Sequence, residues 1–517
     1  MIPDAVAFTV PPPADTVARL AGDAVASRIT EGDTTPWPAA TRPGWVSAPR
    51  TARPLVGEIE GLHERLRLAG LTRVVLAAAG GVGVAAEVLA AEWSLDGTRM
   101  RAAEPRLIVL DGTDPVQVGD ALAGDLDATV LVVSAPPGED TTAVELLWDT
   151  VASVLQAEGL DADAQTVLVA APGSPLLDRA GGATTVLGPA DVDGPWAALT
   201  AFALVPAGLA GADVGLLLAD AADARSEFGA DDPANPALAL GALLADAPLV
   251  TLAGGPLAEW VTQLVAGGLG KDGHGPLPVL VEAPEAPGWA SPGALTVAVD
   301  GSGPADIVTN GPAAVQLLLW QYAVAVAAHL LGVDPTDRPD AAATSAVRTT
   351  NGVTGLPEAF VDGVVSVHGG DWLPDGSATV ADALRALLDG ADGTGMGNGS
   401  HLAVHAYLDP QDDASVAVLR PELSRRTGLV TTFGWAPRCL PGVGQRDKGG
   451  AAGVVVCQLT GAADAELLGD DPLGALQQEQ ARADAAALAA RGHRVLRLHL
   501  ADRVIGLVTL VRAVQEL

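Results

Sequence analysis

The segment TRVVLAAAGGVGVAAEVLAAE at residues 72–92 carries the pattern from which the fold can be predicted. Residues 74–79 are all apolar, without polar alternation, which is typical of a strand buried on both faces of a sheet. A glycine-rich turn follows, and an Ala- and Leu-rich stretch of helical character completes the unit. A buried strand that leads through a turn into a helix indicates an α/β fold with a parallel sheet.

The same alternation of apolar strands and helical patterns recurs along the chain. Further strands are predicted at residues 105–112, 128–135, 165–172 and 183–188. A second set begins near residue 248 and resumes after residue 400. We therefore predict two tandem doubly wound parallel-sheet domains, at residues 56–238 and 239–517, the second with a loop-rich insertion at about 333–400. The proline-rich residues 1–55 are predicted to be an N-terminal arm, either laid over a domain or frayed.

The composition of the 517-residue chain excludes several classes of function. The 63 Asp and Glu residues outnumber the 29 Lys and Arg residues, which gives a formal net charge of −34. Because binding a polyanion requires basic residues to displace counterions, we expect neither nucleic acid nor an anionic membrane as a partner. The only cysteines, Cys439 and Cys457, exclude a disulfide scaffold and a four-cysteine zinc site.

The protein is expected to be cytoplasmic. Its N-terminus lacks the basic start of a signal peptide and contains three consecutive prolines at residues 11–13. Each apolar run is expected to be interrupted by charge, glycine or proline before it could cross a bilayer, so no membrane-spanning helix is predicted.

The glycine turn admits a nucleotide-binding interpretation. Gly81, Gly83 and Ala86 fit the pattern G-x-G-x-x-A between a strand and a helix, which is typical of a pyrophosphate-binding loop. Asp111 lies further along the chain than the roughly twenty residues expected for the acid that binds the ribose. The alternative, which we favour, is that these small residues only allow the helix to pack closely on the sheet.

A longer resemblance becomes specific at residues 168–221, LVAAPGSPLLDRAGGATTVLGPADVDGPWAALTAFALVPAGLAGADVGLLLADA. This segment resembles the part of glucose-6-phosphate isomerases that reads roughly T-D-P-G-S-P-L followed by G-G-R-[FY]-S-A-L-S-x-F-G-L-V-P-A-A-L-A-G. Other segments resemble the same family in the same order, in its short bacterial and transaldolase-fused actinobacterial forms; they lie at residues 78–88, 110–115, 261–279, 317–340 and 428–460. The resemblance thus covers most of residues 70–500.

The family resemblance implies two sugar isomerase (SIS) domains that interconvert glucose 6-phosphate and fructose 6-phosphate without a cofactor. In that chemistry a carboxylate moves a proton between C1 and C2, and a basic residue stabilises the enediolate. Hydroxyl and N–H groups of Ser- and Thr-rich loops hold the phosphate. Relatives are often dimers, so the resemblance also implies a homodimer.

The side chains that the family uses for this chemistry are replaced here. The arginine of G-G-R-[FY]-S falls on Pro195, which leaves no replacement guanidinium at that position, and the glutamate of E-S-x-G-K falls on Gly267. The two histidines of H-S-T-G-Q-L-H-K-G-G fall on Pro441 and Asp447, and the lysine after D-Q-P falls on or near Ser345. No catalytic residue is therefore predicted.

The phosphate turn of the family is altered in the same direction. Its S-S-K-S-G-x-T sequence corresponds to SAPPGEDTT at residues 134–142, which carries the acids Glu139 and Asp140. Acids in this turn would repel a phosphate dianion.

The residual ligand-binding set implied by the resemblance consists of glycines, threonines, one glutamine and the only two lysines of the chain. These residues are Gly80, Gly81, Thr113, Thr141, Thr142, Lys271, Gln445 and Lys448. Both lysines lie on family motif positions, which predicts a residual anion or phosphosugar pocket, since an ammonium binds phosphate as a point charge. The alternative, which we favour, is that they are solvated loop lysines retained by descent.

No metal site is predicted. His401 and His405 are four residues apart in a predicted strand, which places them on one face but about 13 Å apart.

Three functions remain open. The first is a non-catalytic relative of the isomerases with a binding or regulatory role. The second is an active isomerase in which Glu139, Asp272, Asp337 or Asp447 supplies a displaced base. The third is a dinucleotide-binding oxidoreductase that uses the Gly81 turn.

Overall fold

The computed structural model describes residues 5–37, 42–95, 107–301, 303–341, 355–392, 400–450, 453–462 and 472–517. Its strands are β1 Val6–Phe8, β2 Arg73–Ala78, β3 Leu107–Leu110, β4 Thr129–Ala135, β5 Thr166–Ala170, β6 Thr184–Leu187, β7 Leu249–Ala253, β8 Leu277–Val281, β9 Ala294–Ala298, β10 Ile307–Thr309, β11 Glu358–Asp362, β12 Val365–His368, β13 His401–Tyr407, β14 Thr431–Trp435, β15 Val454–Gly461 and β16 Arg494–Leu500.

The helices alternate with these strands along the chain. They are α1 Ala14–Gly22, α2 Val25–Thr30, α3 Gly44–Thr51, α4 Leu55–Leu68, α5 Val82–Leu95, α6 Pro115–Leu122, α7 Thr142–Ala157, α8 Ala201–Leu209, α9 Val214–Phe228, α10 Pro236–Asp246, α11 Pro256–Leu269, α12 Ala313–Leu331, α13 Val380–Asp392, α14 Leu419–Thr427, α15 Gln445–Gly449, α16 Pro472–Ala490 and α17 Arg503–Gln515.

The first sheet has the order β3-β2-β4-β5-β6, and all its strands are parallel. Its strands β2, β4 and β5 are buried along their whole length, as their apolar runs predict. If the five strands are numbered 1 to 5 in the order in which they follow along the chain, their order in the sheet is 2-1-3-4-5, the flavodoxin-like arrangement. The direction in which successive strands are added to the sheet reverses between β2 and β4. Ligands of such sheets bind outside the carboxyl ends of the strands at the point of reversal.

The second and third sheets repeat the same core order. In the second, β8-β7-β9-β10 are parallel, and β1 of the N-terminal arm adds an antiparallel edge strand to β10. In the third, β14-β13-β15-β16 are parallel, and the hairpin β11–β12 adds antiparallel strands to β16. The predicted α/β class with doubly wound parallel sheets is therefore confirmed.

The two domains predicted from the spacing of strands and helices along the chain do not correspond one to one with the three sheets. Residues 239–517 contribute to both the second and the third sheet. Part of the stretch predicted as an insertion forms the hairpin β11–β12 and α13 of the third sheet. The N-terminal arm is helical and well packed, since it places Leu20, Ile29 and Trp45 in the largest buried cluster.

Two motifs of the resemblance serve as helix caps. Asp114 accepts a hydrogen bond from the backbone N–H of Val116 at 3.0 Å and is followed by Pro115 at the start of α6. Ser174 plays the same role before Pro175, at the start of a short 3₁₀ turn. These residues therefore have a structural function whether or not a ligand binds.

The expectation that no helix is long and apolar enough to span a membrane is wrong for α12. Ala313–Leu331 has 19 residues, and the mean hydropathy of an 18-residue window within it is 1.6. Within the protein, 83% of that window is buried against other elements, α10 and α11 among them. A core helix that is covered on all sides has this composition for packing reasons.

Candidate active site

A cleft of about 360 Å³ lies at the carboxyl ends of β2 and β4, where the order of the first sheet reverses. Its walls come from the turn after β2, the loop after β4, the loop after α12, the loop after β14, and α16. The charged side chains that line it are Arg42, Asp111, Glu139, Asp140, Asp193, Asp337, Arg338, Lys448 and Asp484. Acids thus outnumber cations in the cleft wall.

The turn after β2 is made by two glycines in the left-handed conformation. Gly80 has φ +69° and Gly81 has φ +81°. A Cβ atom on Gly80 would lie 2.4 Å from Cδ of Glu139, so the carboxyl group of Glu139 rests directly on the glycine backbone. This close approach explains why a glycine is required at residue 80.

A buried ion triad crosses the cleft from the first sheet to the loop after α12. The Arg338 guanidinium contacts the carboxylates of both Glu139 and Asp193. The three side chains are only 9–12% exposed. Burial raises the pKa of Asp193 to about 7; Arg338 opposes the shift and Glu139 reinforces it. The triad therefore joins the two walls through the protein's own charges.

The position of Arg338 bears on the family arginine whose place Pro195 takes. A Cβ atom on Gly194 would lie 2.9 Å from Nη2 of Arg338, so the guanidinium lies next to Gly194, the residue before Pro195. The sequence places no guanidinium at residue 195, and the structure brings one close to that position from the loop that follows α12, more than 140 residues away in the chain. The loss of the family arginine's role stays a prediction.

Asp111, at the end of β3, faces a second arginine. Its Oδ2 lies 3.2 Å from Nη1 of Arg438, and burial raises the pKa of Asp111 to about 6. A Cβ atom on Gly83 would lie 2.5 Å from the same Oδ2, so the glycine allows close packing between α5 and β3. These contacts, with the flavodoxin-like strand order, favour the packing interpretation of the Gly81 turn over a dinucleotide site.

A buried charge network extends from the cleft into the third sheet. Nζ of Lys448 lies 2.5 Å from Oδ1 of Asp484, whose Oδ2 lies 3.6 Å from Nδ1 of His405. Nε2 of His405 lies 2.9 Å from one oxygen of Asp447, and Nε2 of His401 lies 3.2 Å from the other. All five side chains are at most 1% exposed.

The network favours the charged forms of His405 and Asp484. Burial alone would lower the pKa of His405, but the carboxylates of Asp447 and Asp484 raise it to about 9. Burial alone would raise the pKa of Asp484, but Lys448 and His405 hold it at about 2. The spacing of His401 and His405 predicted one face of a strand, yet it gave no signal that a single carboxylate from α15 joins them.

Two of the predicted ligand residues position the loop that carries Arg338. Nζ of Lys271 donates to the carbonyl oxygen of Asp334 at 2.6 Å, and burial lowers the pKa of Lys271 to about 8. Oε1 of Gln445 accepts from the backbone N–H of Asp340 at 2.9 Å. Both side chains are buried, so they act through residues 334–341. Lys448 is buried as well, so the interpretation of the two lysines as solvated loop residues is wrong.

Among the remaining predicted ligand residues, some line the cleft and others form hydrogen bonds with neighbouring side chains. Gly80 and Lys448 line it, so the structure brings these two together. The hydroxyl of Thr141 donates to Glu145 at 2.5 Å, and that of Thr142 donates to Asp140 at 2.6 Å.

Two further members of the set, Thr113 and Gly81, are closely packed against the protein's own residues. Thr113 is fully buried, and its Oγ1 has no hydrogen-bond partner among the described residues. A Cβ atom on Gly81 would lie 3.4 Å from both Pro195 and Gln263. Ligand binding by all eight residues stays a prediction.

The place of the family glutamate borders the cleft. A Cβ atom on Gly267 would lie 3.4 Å from the carbonyl oxygen of Pro441 and 3.6 Å from Cδ of Arg338. A longer side chain at residue 267 would therefore meet the loop after β14 and the Arg338 stem. Ser345, the position of the missing lysine, lies outside the described residues.

Comparison with known proteins places these features in context. No family model matches the chain. A glucose-6-phosphate isomerase of Rubrobacter xylanophilus is 30% identical over 261 residues, which cover 46% of this chain and 59% of that protein. A probable glucose-6-phosphate isomerase of Haloarcula marismortui is 32% identical over 185 residues, which cover 33% of this chain and 42% of that protein.

The chain thus spans about two fifths to three fifths of the length of the curated relatives it matches. It is similar to glucose-6-phosphate isomerases over that part. A solved structure, a hypothetical protein of Thermus thermophilus, matches 64% of this chain and 95% of its own with a TM-score of 0.53 and 18% identity, which supports the fold alone.

Proposed function

We propose that the protein is a glucose-6-phosphate isomerase-like protein that has lost aldose–ketose isomerisation and has a binding or regulatory role in sugar phosphate metabolism. The similarity to isomerases and the position of the cleft at the reversal of the first sheet support the family part of the proposal. The charges of the cleft support the loss of catalysis. A cytoplasmic location and a homodimer, which the resemblance implies, stay predictions.

The observation that carries the proposal is that the protein's own carboxylates already pair with two of the three cations of the cleft, Arg338 and Lys448. The third cation, Arg42, donates to the carbonyl oxygen of Pro137 at 3.0 Å. Among the described residues that line it, Arg338 contacts Glu139 and Asp193, and Lys448 contacts Asp484. A phosphate dianion or an enediolate must be stabilised by donors aimed at the developing charge. A cation that already forms short ion pairs with two carboxylates is not available for that task without breaking them.

Proton transfer has no carboxylate at the position of the family glutamate. The base must lie within hydrogen-bond reach of C1 and C2 of the open sugar. Glycine at residue 267 offers no proton acceptor, and Glu139 and Asp193 are in contact with Arg338 instead of facing it across a gap of hexose size. We therefore expect weak phosphosugar binding at best and no turnover.

A coupled assay with glucose 6-phosphate and fructose 6-phosphate tests this proposal. We expect no interconversion above background in either direction. Turnover at ordinary enzyme rates that is lost in Lys448→Ala and kept in the surface variant Arg179→Ala would refute it. Arg179 is a suitable control because it forms partly exposed ion pairs with Glu145 and Asp149 of α7, away from the cleft.

A second candidate function, an active isomerase with displaced groups, is favoured by one observation. Asp193 lines the cleft with its pKa raised to about 7, which is suited to a general base, beside an arginine that sits near the position of the family arginine. In that case Asp193 would move the proton and Arg338 would stabilise the enediolate. An Asp193→Asn variant would then lose turnover while Asp140→Asn, another acid of the same cleft wall, would keep it.

A further inference from the structure

At the end of β2 the structure brings together a glycine turn and a guanidinium, two elements that the resemblance does not pair; the space between them is called the cradle below. Gly80 and Gly81 form a left-handed turn, and such turns present backbone N–H groups to anions. The Arg338 guanidinium approaches the same place from the loop after α12. An N–H turn opposed by a guanidinium is a suitable site for a carboxylate or a phosphate group.

The cradle is occupied by a side chain of the protein. The carboxyl group of Glu139 lies against Gly80, where it excludes even a Cβ atom, and it contacts Arg338. Glu139 is 9% exposed, so the contact is largely removed from solvent. Glu139 stands in the loop between β4 and α7 that, by the resemblance, would hold the phosphate.

We propose that Glu139 is an internal substitute for a ligand anion, which fills the anion subsite between Gly80 and Arg338 and prevents a phosphate group from binding there. This inference rests on the proposed function, because it supplies the physical reason for weak phosphosugar binding. It identifies Glu139 as the residue that determines the charge of the ligand that the cleft accepts.

The charge of the cleft acts in the same direction. Six acids and three cations line it, which is a formal charge of −3 before any ligand enters. Removal of Glu139 changes that value to −2 and leaves Arg338 paired with Asp193. The vacated space adjoins the glycine turn, so an incoming phosphate would contact both the turn and the guanidinium.

Binding of inorganic phosphate to wild type, Glu139→Ala and Glu139→Ala/Arg338→Gln, followed by calorimetry, tests the inference. We expect Glu139→Ala to bind phosphate at least tenfold more tightly than wild type, a factor that corresponds to about 1.4 kcal/mol. The double variant should return to the wild-type value, because the guanidinium provides the attraction. Glucose 6-phosphate should show the same order of affinities, and uncharged glucose should not distinguish the proteins.

The matched control is Glu422→Ala. Glu422 is a glutamate of α14 that also pairs with an arginine, with 2.6 Å between its Oε1 and Nη1 of Arg425, but it does not line the cleft. Phosphate affinity in Glu422→Ala should equal that of wild type. Equal affinities in wild type and Glu139→Ala, or an equal gain in Glu422→Ala, would overturn the inference.

Two further measurements keep the test decisive. Glu139→Gln preserves the size of the side chain and replaces the alanine variant if that variant is unstable. It should gain part of the phosphate affinity that Glu139→Ala gains. Wild-type protein that already binds phosphate more tightly than millimolar would overturn the inference without any variant. Equal phosphate affinities refute this inference alone, whereas wild-type turnover in the coupled assay refutes the proposed function alone.

Discussion

The buried network of the third sheet makes a prediction whose size can be worked from the structure. In Asp447→Asn, one oxygen and one amide group replace the two carboxylate oxygens that bind His401 and His405. Removing one partner of a buried ion pair costs about 3–5 kcal/mol, because the remaining charge stays buried. For a chain of 517 residues the entropy of unfolding is about 1.1 kcal/mol/K, so we expect the melting temperature to fall by roughly 3–5 °C.

The dependence of the stability loss in Asp447→Asn on pH gives a second, independent measure of the buried network. The folded-state pKa of His405 is about 9 and its ordinary value is 6.5, so the folded protein binds this proton more tightly. The stabilisation that protonated His405 gives to the folded state is complete below pH 6.5 and is lost as the pH rises through 9. The difference of 2.5 pKa units corresponds to about 3 kcal/mol, which Asp447→Asn should reduce.

Calorimetric melting at several pH values between 6 and 9.5 would measure both effects. The difference between variant and wild type is the relevant quantity, because Lys271, with its pKa lowered to about 8, changes stability in the opposite direction in part of this range. Asp149→Asn is the control, since Asp149 is 62% exposed. A variant that melts within a degree of wild type, with the same pH profile, would refute this account of the network.

Two further predictions concern the walls of the cleft. Gly80→Ala should lower the melting temperature more than Gly159→Ala does. Both glycines have left-handed φ values, but only at Gly80 would a Cβ atom clash with Glu139. Equal falls in melting temperature for the two variants would contradict this contact. Lys271→Met should make residues 334–341 exchange amide hydrogens faster, because the buried ammonium that holds two of their carbonyl groups is lost, and unchanged exchange there would contradict the positioning role.

The sequence predicted the sheets from local pattern but not their assembly. The apolar run at residues 74–79 indicates a buried parallel strand, and β2 is one. By contrast, β1 has three residues and pairs with β10 about 300 positions later, so no local pattern could reveal it. The hairpin β11–β12 was expected to belong to a loop because its strands are short and partly exposed.

The site shows the same division between local and distant information. The glycine turn and the acids of the loop after β4 were visible in the sequence, because each lies in one short segment. The contact of Arg338 with Asp193 joins residues 145 positions apart, and that of His401 with Asp447 joins residues 46 apart. Which cation meets which carboxylate depends on tertiary packing, and only the structure shows that ion pairs of the protein's own side chains cross the cleft.

The proposed loss of proton transfer is tested most directly by incubating wild-type protein with glucose 6-phosphate in D₂O and following the C2 proton by NMR. An isomerase exchanges this proton through the enediolate even when net conversion is slow. We predict loss of the C2 signal no faster than in buffer. Protein-dependent exchange that disappears in Asp193→Asn would contradict the account and establish a displaced base in the cleft.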